Sequence, residues 1–211
     1  WGGRATGDYE TPLGLAENSW TNMDALAGGL SLVKPWGYAG IGVKSYQTSY
    51  GLPPEAPGEA GGRIELEQTR IAARGDVRLD LGPFTRLDWA AQASDYTHTE
   101  FEADGAPGTV FDSDGYEARL ELHNGGEESR LSGATGFQFS RVDFAATGDE
   151  SFIAPTLTRV LGLFTVQRWD TGSWGVEGGL RIEHREHEND VFGSRDFTPV
   201  SASIGAFYRP A

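Results

Sequence analysis

The sequence predicts an all-β protein, an antiparallel transmembrane β-barrel wall of about nine or ten strands. Three observations carry that prediction. Apolar residues recur at every second position over long stretches, and nowhere with a helical period. Short turns alternate strictly with longer polar connections. Opposite the apolar face runs a ladder of Arg, Asp and Glu, where a soluble sandwich would turn an apolar face inward.

Composition fits this class. Mean hydropathy is −0.41 and no run approaches the ~20 apolar residues of a spanning helix. A barrel strand needs an apolar residue only at alternate positions, so averaging hides its hydrophobicity. Thirty glycines, six tryptophans, seven tyrosines and eleven phenylalanines suit many short strands with aromatic belts. A net charge of −14 argues against a nucleic-acid partner, which requires a basic stripe, and is ascribed to solvated loops. The chain has no cysteine, which removes disulfides and thiolate metal sites. No signal peptide is evident and residue 1 is Trp, so the chain reads as a processed or truncated piece.

The stretch from Asp76 to Ser94 sets the pattern. Val77, Leu79 and Leu81 alternate with Asp76, Arg78 and Asp80, and Gly82-Pro83 makes a tight turn. Leu87, Trp89, Ala91 and Ala93 then alternate with Arg86, Asp88, Gln92 and Ser94. One face is suited to lipid and the other to a watery lumen.

The other elements repeat this logic in order. Residues 1–21 read as the end of a strand and a loop. Leu26, Leu30 and Leu32 share a face, a turn follows at 34–37, and Ile41 and Val43 return opposite Gly40, Gly42 and Lys44. The Pro- and Gly-rich segment 49–62 cannot pair and reads as a loop. A long strand then places Thr69, Ile71, Ala73, Val77 and Leu79 outward. Its inward face carries Arg70, Arg74, Asp76, Arg78 and Asp80. After a loop at 100–114, Tyr116, Ala118, Leu120 and Leu122 alternate with Glu117, Arg119, Glu121 and His123. A turn at 124–129 leads to Leu131, Phe137 and Phe139, and a third loop covers 145–155. The strand from Thr158 to Trp169 has apolar residues at both parities, which leaves its facing open. Past a turn at 170–173, Val176, Leu180 and Ile182 oppose Glu177, Arg181, Glu183 and Arg185. A fourth loop at 187–196 precedes the closing strand, with Val200, Ala202, Ile204, Ala206 and Tyr208 on one face.

Two constellations are candidates for ligand or metal binding. Tyr96, His98, Glu100 and Glu102 alternate along one strand and share its lumenal face near the outer end. Imidazole with carboxylates suits a borderline ion such as zinc, provided other strands complete the three or four ligands needed. The second is His187 beside Glu188 and Asp190, while His184, three positions away, faces the opposite side of an extended strand. The ladder formed by Arg70, Arg74, Asp76, Arg78, Asp80, Glu117, Arg119, Glu121, Glu177, Arg181 and Glu183 is read as structural. Opposite charges on neighbouring strands would contribute roughly 0.2–1 kcal/mol per pair.

Enzymatic chemistry finds little support. The sequence contains no GxSxG elbow, no phosphate-binding glycine loop and no HExxH. A hydrolase barrel using His98 or His123 as base is the residual enzymatic alternative.

Several stretches, in order, carry a family resemblance: DYETP at 8–12, GYAGIGVKSYQTSYGLP at 37–53, RIELEQTRIAARGDVRL at 63–79, DYTHTEF at 95–101, FDSDGYEARLEL at 111–122, TRVLGLF at 158–164 and SASIGAFYRP at 201–210. They resemble the barrel of TonB-dependent outer-membrane receptors, and most nearly the branch associated with zinc uptake. The resemblance implies a barrel of about 22 strands closed by a plug domain. Residues 1–211 would be a middle portion of it, with the plug absent from this chain. It further implies a place in the outer membrane, contact with its lipid, energy coupling through TonB, and uptake of a scarce nutrient, with zinc or another metal complex as the candidates. Zinc would enter as transported ligand, with no resident cofactor. Departures are the absence of an energy-coupling motif, of the family's terminal strand, and of a histidine-rich insertion in 49–62. A passive channel of about ten strands and a soluble all-β binding domain are the alternatives.

Overall fold

The computed structural model describes residues 1–211 apart from 55, 57, 58, 127, 149, 150 and 211. The strands are β1 (Gly2–Thr6), β2 (Tyr9–Thr11), β3 (Gly14–Ala16), β4 (Thr21–Lys34), β5 (Gly37–Gly51), β6 (Arg63–Leu81), β7 (Phe84–Phe101), β8 (Pro107–Asn124), β9 (Leu131–Gly148), β10 (Thr156–Asp170), β11 (Trp174–Asn189), β12 (Gly193–Phe197) and β13 (Val200–Tyr208). Each pairs antiparallel with its neighbours. Among the described residues there is no helix long and apolar enough to cross a membrane, which leaves crossing by strands open.

β12 and β13 keep a single register against β11. Arg185 lies opposite Phe197 and Ile182 opposite Val200, so Thr198 and Pro199 fall in step between them. Pro199 has no N–H to donate and interrupts the ladder. Its carbonyl still accepts from the Glu183 N–H at 3.0 Å. Counted as one interrupted strand, β12 and β13 complete a sheet of ten neighbours, β1, β4 to β11, and β12 with β13. The small β2–β3 hairpin lies within the predicted opening loop. Past Ala25, β4 pairs only with β5, and β12 and β13 pair only with β11, so the two sheet edges do not meet among the described residues.

Residues directly opposite in an antiparallel pair share a face, so the register carries the facing from strand to strand. One row runs Leu32, Ala39, Gly75, Trp89, Leu120, Phe137, Leu163, Ile182 and Val200 across nine strands without a polar side chain. This face is open: Leu30 is 82% exposed and Ile204 90%. Ile64 and Ala146 are the only buried apolar residues among the described ones. A soluble sandwich would show the reverse, a dry interior between two sheets. The unsettled strand β10 is also fixed: Leu161, Leu163 and Trp169 belong to the outer face, Val160, Phe164 and Arg168 to the inner.

The short turns lie at one end and are tied together. Gly82, at φ 62°, and Pro83 form a two-residue hairpin turn between the paired Leu81 and Phe84. The Trp36 carbonyl accepts from Arg78 N–H at 2.7 Å, that of Pro83 from Gly125, and that of Ser173 from Arg209 at 2.7 Å. Trp36 stands in the first turn, and Trp169 stacks edge-on with Trp174 at 5.5 Å beside the last. These rings suit an interfacial girdle.

Three predicted loops are corrected. In place of a loop over 100–114, β7 runs to Phe101 and β8 starts at Pro107; in place of 187–196, β11 runs to Asn189 and β12 starts at Gly193. β9 likewise continues to Gly148 within 145–155. The expected loop 49–62 remains between Gly51 and Arg63, and the positions 55, 57, 58, 127, 149 and 150 of the predicted loops and turns lie outside the described residues. β6 has 19 residues and β7 18, whereas about 9–11 span a bilayer. The strands therefore continue well beyond an apolar belt.

At the turn end, Asp170 accepts from Arg168, from the Gly172 N–H at 2.8 Å, and from both terminal nitrogens of Arg209 at 3.2 and 3.0 Å. The Arg209 guanidinium first, then the Gly172 N–H and Arg168, hold its carboxyl well below the usual carboxylate range. A depressed carboxyl contributes stability above its unfolded pKa, near 3.9, and loses it as pH falls towards the folded value. The melting temperature of the natural protein should fall more between about pH 6 and about pH 2.5 than that of Asp170→Asn. Equal falls would show that the clamp contributes nothing to folding.

Candidate functional site

The inner face collects the chemistry, and it divides into two zones. In the turn-side zone lies the predicted charge ladder. Arg70, Arg74, Asp76 and Arg78 of β6, Glu117, Arg119 and Glu121 of β8, and Glu177, Arg181 and Glu183 of β11 all share this face by register. Asp80 does not continue it, because the pairing breaks between Arg78 and Leu81.

The expected pairing of opposite charges across strands is also corrected. Asp76 lies opposite Asp88, Asp88 opposite Glu121, and Arg78 opposite Arg86. Charge is balanced along the strands instead. Arg86 Nε is 2.7 Å from Asp88 Oδ1 and Arg185 Nε 3.0 Å from Glu183 Oε2, and Arg119 pairs with Glu121 and Arg181 with Glu183 in the same two-residue step. Same-face neighbours on a strand are about 6.6 Å apart, a gap that an arginine bridges.

Gln138 joins these pairs into a network from β7 to β11. It donates to Glu117 at 2.8 Å and accepts from Arg119 at 3.1 Å and Arg181 at 3.2 Å. Gln92 donates to the other Glu117 oxygen at 2.9 Å, and His123 Nε2 is 3.0 Å from Asp88 Oδ2. Beneath lies the Phe164 ring, 4.2 Å from the Arg119 guanidinium carbon and 5.6 Å from that of Arg181. The other flank differs. Among the described residues Arg70, Arg74, Asp76 and Arg78 of β6 make no ion pair, and nor does Glu177 of β11. Small residues there leave a trough of about 710 Å³, lined by Ser31, Gly40, Arg74, Ala90, Gln92 and Arg119 among others.

The outer zone, beyond the belt, has the opposite polarity. Its inner face carries Tyr50, Leu66, Tyr96, His98, Phe111 and Phe144. On the same strands the outer face carries Glu67, Asp95, Asp112, Asp114 and Asp143, with Asp95, Asp114 and Asp143 in one register row. The rings form a continuous line: Tyr96 to His98 at 6.4 Å, His98 to Phe111 at 5.3 Å, Phe111 to Phe144 at 6.4 Å between centroids. Burial first, then Tyr50, pushes the Tyr96 phenol up.

Of the predicted binding residues, His98 and Glu100 are brought together. The Tyr96 hydroxyl lies 3.2 Å from His98 Nδ1, and His98 Nε2 lies 3.6 Å from Glu100 Oε1 with no hydrogen-bond partner. Glu102 leaves their row: β7 ends at Phe101, and Glu102 enters a turn where its N–H donates to the Ala106 carbonyl at 2.9 Å. His187 is on the inner face of β11, 3.0 Å from the Thr158 hydroxyl and edge-on to Phe197 at 6.2 Å. Glu188 faces outward and bonds Arg159 at 2.7 Å, so it cannot share a ligand with His187. Four strand spacings, about 19 Å, separate His187 from His98. Among the described residues no three His, Asp or Glu side chains gather as a metal-holding group. Sequence reasoning missed Tyr50, Thr109, Phe111, Phe144 and Phe164. Parity extended through the supposed loop 100–114 would have found Thr109 and Phe111.

No family model matches the sequence, and no curated protein matches it. The fold does have counterparts among solved structures. It is similar to the ferric yersiniabactin uptake receptor FyuA from Yersinia pestis, at 12% identity and a TM-score of 0.60, over 97% of this chain and 37% of that one. It is similar to the ferric citrate transporter FecA in its unliganded form, at 13% identity and 0.64, over 97% of this chain and 35% of that one. BauA, the ferric preacinetobactin receptor from Acinetobacter baumannii, aligns at 12% identity and 0.56, over 90% of this chain and 37% of that one. The chain thus spans little more than a third of each, and its fold is that of a sector of their barrels.

Proposed function

We propose that the chain is part of the barrel wall of an outer-membrane, TonB-dependent uptake receptor for a scarce nutrient. The observation that carries this reading is the exchange of polarity along β6, β7 and β8. The outer face is apolar where lipid would lie and acidic beyond it, while the inner face is charged at the turn side and aromatic beyond. A simple aqueous channel needs a polar wall throughout. An uptake receptor needs two surfaces, one for a plug and one for a ligand.

The trough and ladder suit the plug. Unpaired Arg70, Arg74 and Arg78 can meet carboxylates of a plug domain, and small side chains let its backbone approach. No residue performs covalent chemistry in this scheme. The ligand binds at the outer zone, and plug rearrangement driven from the inner membrane by TonB releases it. The similar folds of a ferric yersiniabactin uptake receptor and a ferric citrate transporter support the reading.

Conductance in planar bilayers tests it. A plugged receptor should show no steady current until denaturant loosens the plug, and the current should close again on its removal. Steady conductance from the start would favour the passive channel.

A further inference from the structure

Resting on the uptake reading, we infer that the outer zone takes an organic ligand by an uncharged aromatic or apolar face bearing a hydroxyl or amide group, rather than a bare metal ion or a highly charged complex.

The first support is charge distribution. The strands carry carboxylates at this height, but they point outward: Glu67, Asp95, Asp112, Asp114 and Asp143 all lie on the outer face. The inner face alternating with them offers Tyr50, Leu66, Tyr96, Phe111 and Phe144, with Glu100 as its carboxylate. A site for a hydrated cation would put its carboxylates inside. A site for a polyanionic complex would put arginines there, but the ladder arginines lie in the turn-side zone, and Arg195, on the inner face opposite His187, stands on β12, five strands from His98.

The second support is unsatisfied polar chemistry within the rings. His98 Nε2 is buried without a partner while its Nδ1 faces the Tyr96 hydroxyl. Thr109, directly opposite Glu100, is 1% exposed, and its hydroxyl also has no partner. Buried polar atoms are normally paired. Two orphans beside a line of four rings call for a ligand with one or two hydrogen-bonding groups on an apolar body. A metal ion would find only His98 and Glu100, with no third ligand among the described residues, and would gain nothing from the rings or from Thr109.

The experiment uses the whole protein in amphipol, with 4-fluorobenzamide as a neutral aromatic probe followed by fluorine NMR line width. Zinc chloride and gallium citrate, followed by calorimetry, are the charged comparators. Saturable broadening of 4-fluorobenzamide is expected, weakened about three- to tenfold in Phe111→Ala. Thr99→Ser, on the outer face of the same sheet and away from the rings, checks folding and should bind within about twofold of the natural protein. Broadening unchanged in Phe111→Ala would be partition into amphipol and would overturn the inference. Binding of zinc or gallium citrate in its place, lost in Phe111→Ala, would overturn the inference and leave the uptake reading standing. Binding of none of the three, with open conductance in bilayers, would overturn both.

Discussion

Leu120→Arg should destabilise the protein folded into lipid vesicles by about 2–4 kcal/mol. Leu120 stands in the middle of the apolar row, between Trp89 of β7 and Phe137 of β9, and is 45% exposed with no sheet covering it. In water such a residue would accept arginine with a change within about 0.5 kcal/mol. In hydrocarbon the guanidinium must shed its hydration or drag water and headgroups inward. Thr99→Arg is the matched control, since Thr99 shares the outer face but lies beyond the belt, next to Glu65 of β6. It should change stability by less than about 0.5 kcal/mol. Denaturant titration of refolding into vesicles measures both. Similar small values would place both residues in water and revive the soluble all-β reading.

The same contrast explains how far the sequence could be read. Val77 and Leu87 through Ala93 alternate with charges in the sense that lipid imposes, so the hairpin of β6 and β7, its turn and its facing were all legible. Beyond Ala93 the sense inverts. Asp95, Thr97 and Thr99 take the outer face while Tyr96 and His98 take the inner one. Alternation persists, but a rule that expects apolar residues outward finds Asp112 and Asp114 and registers a loop. Part of the acidity ascribed to solvated loops therefore belongs to water-facing strand positions, among them Asp95, Asp112, Asp114 and Asp143. The cross-strand partners were hidden for another reason. Parity assigns a face but not a register, and the register set Asp76 beside Asp88 and left arginines such as Arg86 and Arg119 to pair along their own strands. Glu102 escaped because a one-residue slip between Glu100 and Phe101 ends the alternation.

Gly37→Ala should cost more than about 2 kcal/mol in the same refolding assay. Gly37 closes the Pro35-Trp36 turn at φ 145°, a backbone conformation that side-chain-bearing residues rarely adopt. Its position opposite Val77 leaves no room either. A Cβ there would be driven into the Asp76 carbonyl oxygen, with the Asp76 carbonyl carbon at 2.9 Å and Val77 Cα at 3.1 Å. These are backbone atoms fixed by pairing on both edges of β6, so neither can rotate aside as a flexible side chain would. Gly82→Ala provides the comparison. At φ 62° it carries the left-handed cost, about 1–2 kcal/mol, but its Cβ meets open space. The excess of Gly37→Ala over Gly82→Ala therefore isolates the steric term. It has a functional reading as well, because displacing β5 from β6 moves Tyr38 and Gly40, which line the trough beside Arg74. If the two substitutions cost the same, β5 and β6 part at this point without strain, and the trough would not have the fixed shape that a plug requires.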